Sequence, residues 1–111
     1  MKRIVAKFYA LKPGTEPVRD WLRSLGRDER KVIGTDIAAV EFGWPIGLPV
    51  CRPLGKGLYE VRSDLPGNRI ARTLFTIRGG ELVLLHGFIK KTKKTPKADL
   101  DLARSRKATL K

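Results

Sequence analysis

The sequence lacks most of what metal, thiol or secretory chemistry requires. Cys51 is the only cysteine and His86 the only histidine. A single cysteine excludes an intrachain disulfide and a cysteine-rich zinc site, and it fits a reducing compartment. One histidine among scattered acids offers no paired-histidine motif or acidic triad for a catalytic ion, so no metal and no cofactor are expected. Ser24, Ser63 and Ser105 sit in surface-like contexts, which argues against a Ser-His-Asp nucleophile. The start, Met1 to Lys7, has too short an apolar run for a signal peptide, and no stretch is long enough to span a bilayer. The expectation is a cytoplasmic protein with no membrane partner. Acids are scarce as well: 11 Asp and Glu stand against 24 Lys and Arg, a formal net charge of +13. That excess argues for a polyanionic partner, nucleic acid before an acidic protein or an anionic membrane; the plainer reading is a basic surface that only keeps the protein soluble.

What is present is enough to fold. Hydrophobic residues make up 41% of 111 residues, which suits a single domain over 1–111 with one modest core. The organising stretch is Gly57 to Lys94. Gly57 to Arg62, Asn68 to Arg78 and Glu81 to Ile89 are rich in β-branched, leucine and aromatic residues and are bounded by turn residues. They read as strand, hairpin, strand, hairpin, strand, with Asp64 to Asn68 and Gly79-Gly80 as the turns. Arg3 to Ala10 is a further short strand. Thr15 is placed to cap a helix with Pro17 in its first turn and Val18, Trp21, Leu22 and Leu25 on one stripe. Asp28 is placed to cap a second, with Val32, Ile33, Ile37 and Val40 on one side, ending at Gly43. The short link at Gly26-Arg27 makes them an antiparallel hairpin whose stripes must bury against the sheet. Residues 44–57, with Pro45, Pro49 and Pro53, read as an ordered loop. Thr95 is placed to cap a last helix with Pro96 at its first position and a weak stripe of Leu100, Ala103, Lys107 and Leu110.

The chemistry-bearing residues are then Arg, Lys, one His and two Tyr. That set can catalyse attack of a ribose 2′-hydroxyl on the adjacent phosphate without a metal. The reaction needs a base, positive charge at the phosphate oxygens and an acid for the leaving 5′-oxygen. Arg62, Arg72, Lys90 and Lys91 supply charge in this reading, with His86 as acid or base; Lys56, Arg69, Lys93 and Lys94 add RNA-binding charge. Each has a plainer reading. His86 alternates with Leu84 and Phe88 and suits a core or rim position. Arg62 shares a strand face with Glu60 and can simply pair with it. Arg72 lies between Ile70 and Leu74 on a central strand, where its charge must be compensated by a partner such as Glu60 or Asp64, or by a ligand. The run Lys90 to Lys94 suits a solvated face or a phosphate patch. Residue patterns alone end at a basic, RNA-binding α+β domain.

Two motifs carry a resemblance. Leu54 to Arg62 with Arg69 to Phe75, and Leu84 to Pro96 with Ala103 and Arg104 beyond, resemble the RelE/ParE superfamily of toxin–antitoxin toxins, in its phage-derived HigB-like branch. The resemblance implies an α+β fold: an N-terminal strand and helical hairpin packed on a curved antiparallel sheet, plus a C-terminal helix. It implies an endoribonuclease that cuts mRNA, usually on the ribosome, and a cognate antitoxin, often a helix-turn-helix protein. By position it assigns Arg72 and Lys91, with Lys90 beside it, to the catalytic set. A family lysine falls at Glu60 here and the C-terminal tyrosine has no counterpart after Pro96, so His86, Tyr59 or a lysine would have to substitute. Superfamily members with an eroded basic site poison DNA gyrase, which is the alternative activity. A non-catalytic RNA-binding or phage regulatory module is the other.

Overall fold

The computed structural model describes residues 2–45, 51–91 and 94–110. The element order is β1 (Val5–Phe8), α1 (Pro17–Ser24), α2 (Arg27–Gly43), β2 (Cys51–Gly55), β3 (Leu58–Leu65), β4 (Arg69–Arg78), β5 (Glu81–Lys90) and α3 (Lys97–Ala108). The strands form one five-stranded sheet in the order β1-β5-β4-β3-β2. β2 to β5 make an antiparallel meander, and β1 adds at its edge parallel to β5. This is an α+β architecture compatible with a RelE-like fold.

The stretch expected to be a loop contains the edge strand β2 instead. Its signals are unusual ones. Pro53 lies within the strand, which an edge tolerates because one side of its backbone needs no ladder partner. The β2–β3 turn uses Lys56 and Gly57 at φ 54° and 77°, and a lysine in the left-handed region gives no hairpin signal. The β3–β4 turn is shorter than expected: Asp64 and Leu65 continue β3, and the turn itself uses Gly67 and Asn68 at φ 79° and 59°.

The helical hairpin covers one face of the sheet. Val18, Ile33, Ile37 and Val40 pack there against Val61, Ala71, Phe75, Leu82 and Leu84. Val32 falls outside this stripe, 36% exposed, because a residue adjacent to the buried Ile33 points about 100° away. The caps also differ from expectation. Thr15 closes a local turn with Lys12, and α1 starts after Glu16. α2 starts after Gly26, whose N–H is taken by Glu29, while Asp28 lies in the first turn. Gly87 on β5 has a packing reason: a Cβ there would lie 2.3 Å from the Trp21 ring of α1.

α3 packs on the opposite face. Ala103, Leu100 and Leu110 meet Tyr9, Leu58, Leu74, Val83 and Leu85. Its polar ties reinforce this: Tyr9 Oη and Thr109 Oγ1 are 2.8 Å apart, and Arg106 Nη1 donates to the Leu85 carbonyl at 2.7 Å. Leu85 is the extra residue of a β-bulge, since His86 pairs with Leu74 and Leu84 with Phe75. α3 therefore covers the sheet at the Leu58 end of β3 and leaves the Arg62–Asp64 end open.

Candidate functional site

Strand alternation sends Glu60, Arg62 and Asp64 of β3 to the α3 side of the sheet. The register sets Arg52 opposite Glu60, Arg62 opposite Arg72, and Asp64 opposite Ile70. Two arginines face each other directly across β3 and β4, an arrangement that like-charge repulsion disfavours unless an anion compensates.

Glu60 is the internal compensation. It is 0% exposed, as is Arg72. One carboxylate oxygen accepts from Arg52 Nε at 3.0 Å; the other lies 3.9 Å from Arg72 Nε and accepts from the Thr95 hydroxyl. Arg72 Nη1 also donates to the Lys94 carbonyl at 2.9 Å. The expectation that Thr95 caps α3 is thus replaced: its hydroxyl turns inward to Glu60 and Pro96 becomes the cap. Burial lowers the Arg72 pKa, Glu60 raises it, and Arg62 and Arg52 lower it further. The net shift is downward, with burial its largest cause.

Beyond this pair the sheet opens into a cleft of about 620 Å³. Arg52, Arg62, Arg69 and Lys91 line it together with Asp64 and Asn68, over a floor that includes Leu65 and Ile70. Its cations divide into two kinds. Arg52 is held by Glu60, and Arg69 by Glu29 at 2.6 Å and by the Pro66 carbonyl. Arg62 and Lys91 make no ion pair with any of the described residues. The cleft can therefore hold a polyanion, with two preset arginines and two uncommitted cations.

The remaining sequence candidates lie elsewhere. The bulge at Leu85 breaks the expected alternation: Leu84 joins the helical-hairpin side, while His86 and Phe88 face α3. His86 stacks on Phe88, and its Nε2 lies 2.7 Å from Asp99 Oδ1. Lys90 Nζ reaches Asp99 Oδ2 at 3.0 Å. Burial would raise the Asp99 pKa, but the hydrogen bonds from His86 and Lys90 outweigh it and hold the carboxyl below its ordinary value. His86 and Lys90 thus fasten the start of α3 and do not line the cleft. Tyr59 is on the far face, stacked on Phe75 and edge-on to Trp44. Lys56 is in the β2–β3 turn, at the opposite end of β3. Lys94 is exposed beside Arg72, and Lys93 lies outside the described residues. Cys51 is half-buried, and burial raises its thiol pKa. Among the described residues no three His, Cys, Asp or Glu side chains group as metal ligands.

Of the expected set, Arg62, Arg69 and Lys91 come together in the cleft, and Arg72 lies buried beside it. Arg52 and Asp64 were missed as site residues. Both sit where the sequence signals turn and loop, and only their pairing onto β3 and β4 brings them to the cleft.

Residues 20–108 match the family described as phage-derived protein Gp49-like. The chain belongs to that family. No curated protein matches it. The match runs from within α1 to the end of α3, so the Gp49-like region holds every residue of the cleft and of the Glu60–Arg72 pair. No helix among the described residues is long and apolar enough to cross a membrane.

Proposed function

We propose that this Gp49-like protein is the toxin of a type II toxin–antitoxin system and an endoribonuclease that cuts mRNA, in association with the ribosome. The observation that carries this reading is the open cleft on the α3 side of the sheet, where Arg62 and Lys91 have no counter-ion among the described residues. Family membership and the RelE-like architecture support it. In this reading Arg62 binds the scissile phosphate and stabilises the charge that grows on its oxygens. Lys91 stands beside the leaving 5′-oxygen. Arg52 and Arg69, preset by their acids, hold flanking phosphates as a rigid track. The reaction is attack of the 2′-hydroxyl on the adjacent phosphate, so DNA would not be cut. Its site of action is the cytoplasm, and the cognate antitoxin is a helix-turn-helix protein that must cover the cationic cleft.

The test is to induce the gene in a bacterial host and map the 5′ ends of cellular mRNA, with purified protein added to programmed ribosomes in parallel. Discrete new 5′ ends, lost with Arg62→Ala, are the expected result. Intact mRNA accompanied by DNA-damage signalling would replace this reading with gyrase poisoning. Binding without either would leave a regulatory module.

A further inference from the structure

We propose that Asp64 is the general base of this site, an inference that rests on the endoribonuclease reading above. The protein's carboxylates are few, and nearly all are committed. Glu16, Asp20, Glu29, Glu41, Glu60, Glu81, Asp99 and Asp101 each pair with a cation. Asp28, Asp36 and Asp64 have no such partner among the described residues, and of these only Asp64 lines the cationic cleft. A carboxylate left unpaired among Arg52, Arg62, Arg69 and Lys91 weakens phosphate binding by like-charge repulsion. What it can do there is accept a proton or a hydrogen bond from a hydroxyl, and the hydroxyl next to a bound RNA phosphate is the ribose 2′-OH.

The geometry fits that task. Asp64 and Arg62 lie two residues apart on one face of β3, a spacing of about 7 Å along the strand. A guanidinium and a carboxylate so spaced can border one nucleotide. The other bases considered are unsuited. Both oxygens of Glu60 are engaged and it is fully buried. His86 is held by Asp99 outside the cleft, and Tyr59 is on the opposite face. Asp64 takes the proton of the 2′-OH, and the 2′-oxygen bonds to phosphorus. The bond from phosphorus to the 5′-oxygen breaks, and that oxygen takes a proton from the Lys91 ammonium. The products are a 2′,3′-cyclic phosphate and a 5′-hydroxyl, and both side chains reset by exchange with water.

The experiment measures Asp64→Asn and Asp64→Glu against wild type in single-turnover cleavage of an mRNA, and in binding of a ribo-oligonucleotide and its 2′-deoxy counterpart. Asp64→Asn is expected to slow cleavage about 10²–10⁴-fold. It should also bind RNA as tightly as wild type or more so. Asp64→Glu should retain part of the rate. Asp64 is exposed, so thermal melting should be unchanged. A wild-type protein that cleaves while Asp64→Asn cleaves within threefold of it overturns this inference alone. A wild-type protein that leaves ribosome-bound mRNA intact overturns the endoribonuclease reading and this inference with it.

Discussion

Arg62 and Arg72 show how neighbouring residues of one type take different tasks. They face each other across β3 and β4, yet Arg72 is 0% exposed and tied to Glu60 and Lys94 while Arg62 opens to the cleft. In this arrangement the Arg72 guanidinium faces Glu60 and the Lys94 carbonyl and presents no surface to the cleft, so its charge balances Glu60, which in turn holds Arg52. Truncating Arg72 would leave Glu60 buried beside less positive charge. Loss of one partner of a buried ion pair costs about 3–5 kcal/mol, so Arg72→Ala should lower the melting temperature strongly. Arg62→Ala should melt like wild type and cleave about 10²–10³-fold more slowly, the usual loss for one electrostatic group in a transition state. Melting curves and single-turnover cleavage of both variants separate the roles. A thermally unaltered Arg72→Ala variant that cleaves poorly would return Arg72 to the substrate-binding surface.

At the scale of elements, α3 decides how much of the sheet is available. The bulge at Leu85 turns His86 toward α3, where it and Lys90 clamp Asp99 in the helix's first turn. Asp99 also favours the positive end of the helix dipole. Because the folded-state pKa of Asp99 is depressed, its contribution is complete above the unfolded value, about 3.9, and fades as pH falls through the folded value. Asp99→Asn should destabilise the protein near neutral pH by about 1.5–3 kcal/mol, the range for hydrogen bonds to charged groups. The difference from wild type should shrink on acidification below about pH 4. Denaturant unfolding across that range is the measurement; a difference that stays constant with pH would mean that the carboxylate's charge is immaterial.

At the scale of the whole molecule, the net charge of +13 is arranged as well as accumulated. Three carboxylates, Glu60, Glu29 and Asp99, engage Arg52, Arg72, Arg69 and Lys90, so among the described residues that line the cleft Arg62 and Lys91 are the cations outside any ion pair. If these bind RNA phosphates, affinity for single-stranded RNA should fall steeply with salt. Replacing Arg62 and Lys91 together by Gln should reduce the logarithmic slope by roughly 1.4, about 0.7 for each phosphate contact. Binding titrations over a range of salt concentrations test this. An unchanged slope would place the RNA on another surface.

The division between what sequence determines and what tertiary structure decides runs along the range of the interactions. Apolar alternation and the glycines at 67, 79 and 80 specify β3, β4 and β5, and the stripes at Val18 and Ile33 specify α1 and α2, because these signals lie within a few residues of each other. The α+β class was legible for the same reason. β2 was not, because its proline and its Lys56-Gly57 turn suit only a strand that already has β3 beside it. The bulge was hidden too: one unpaired residue leaves no mark on the composition of β5 yet puts Leu84 and His86 on opposite faces. Nor does any local pattern tell an arginine that binds phosphate from one that balances a glutamate. Arg62 and Arg72 are equally polar interruptions of apolar strands, and what separates them is the segment 94–96 and Glu60 closing over one of them. Burial and ion pairing arise between residues remote in the chain, so only the folded molecule assigns them.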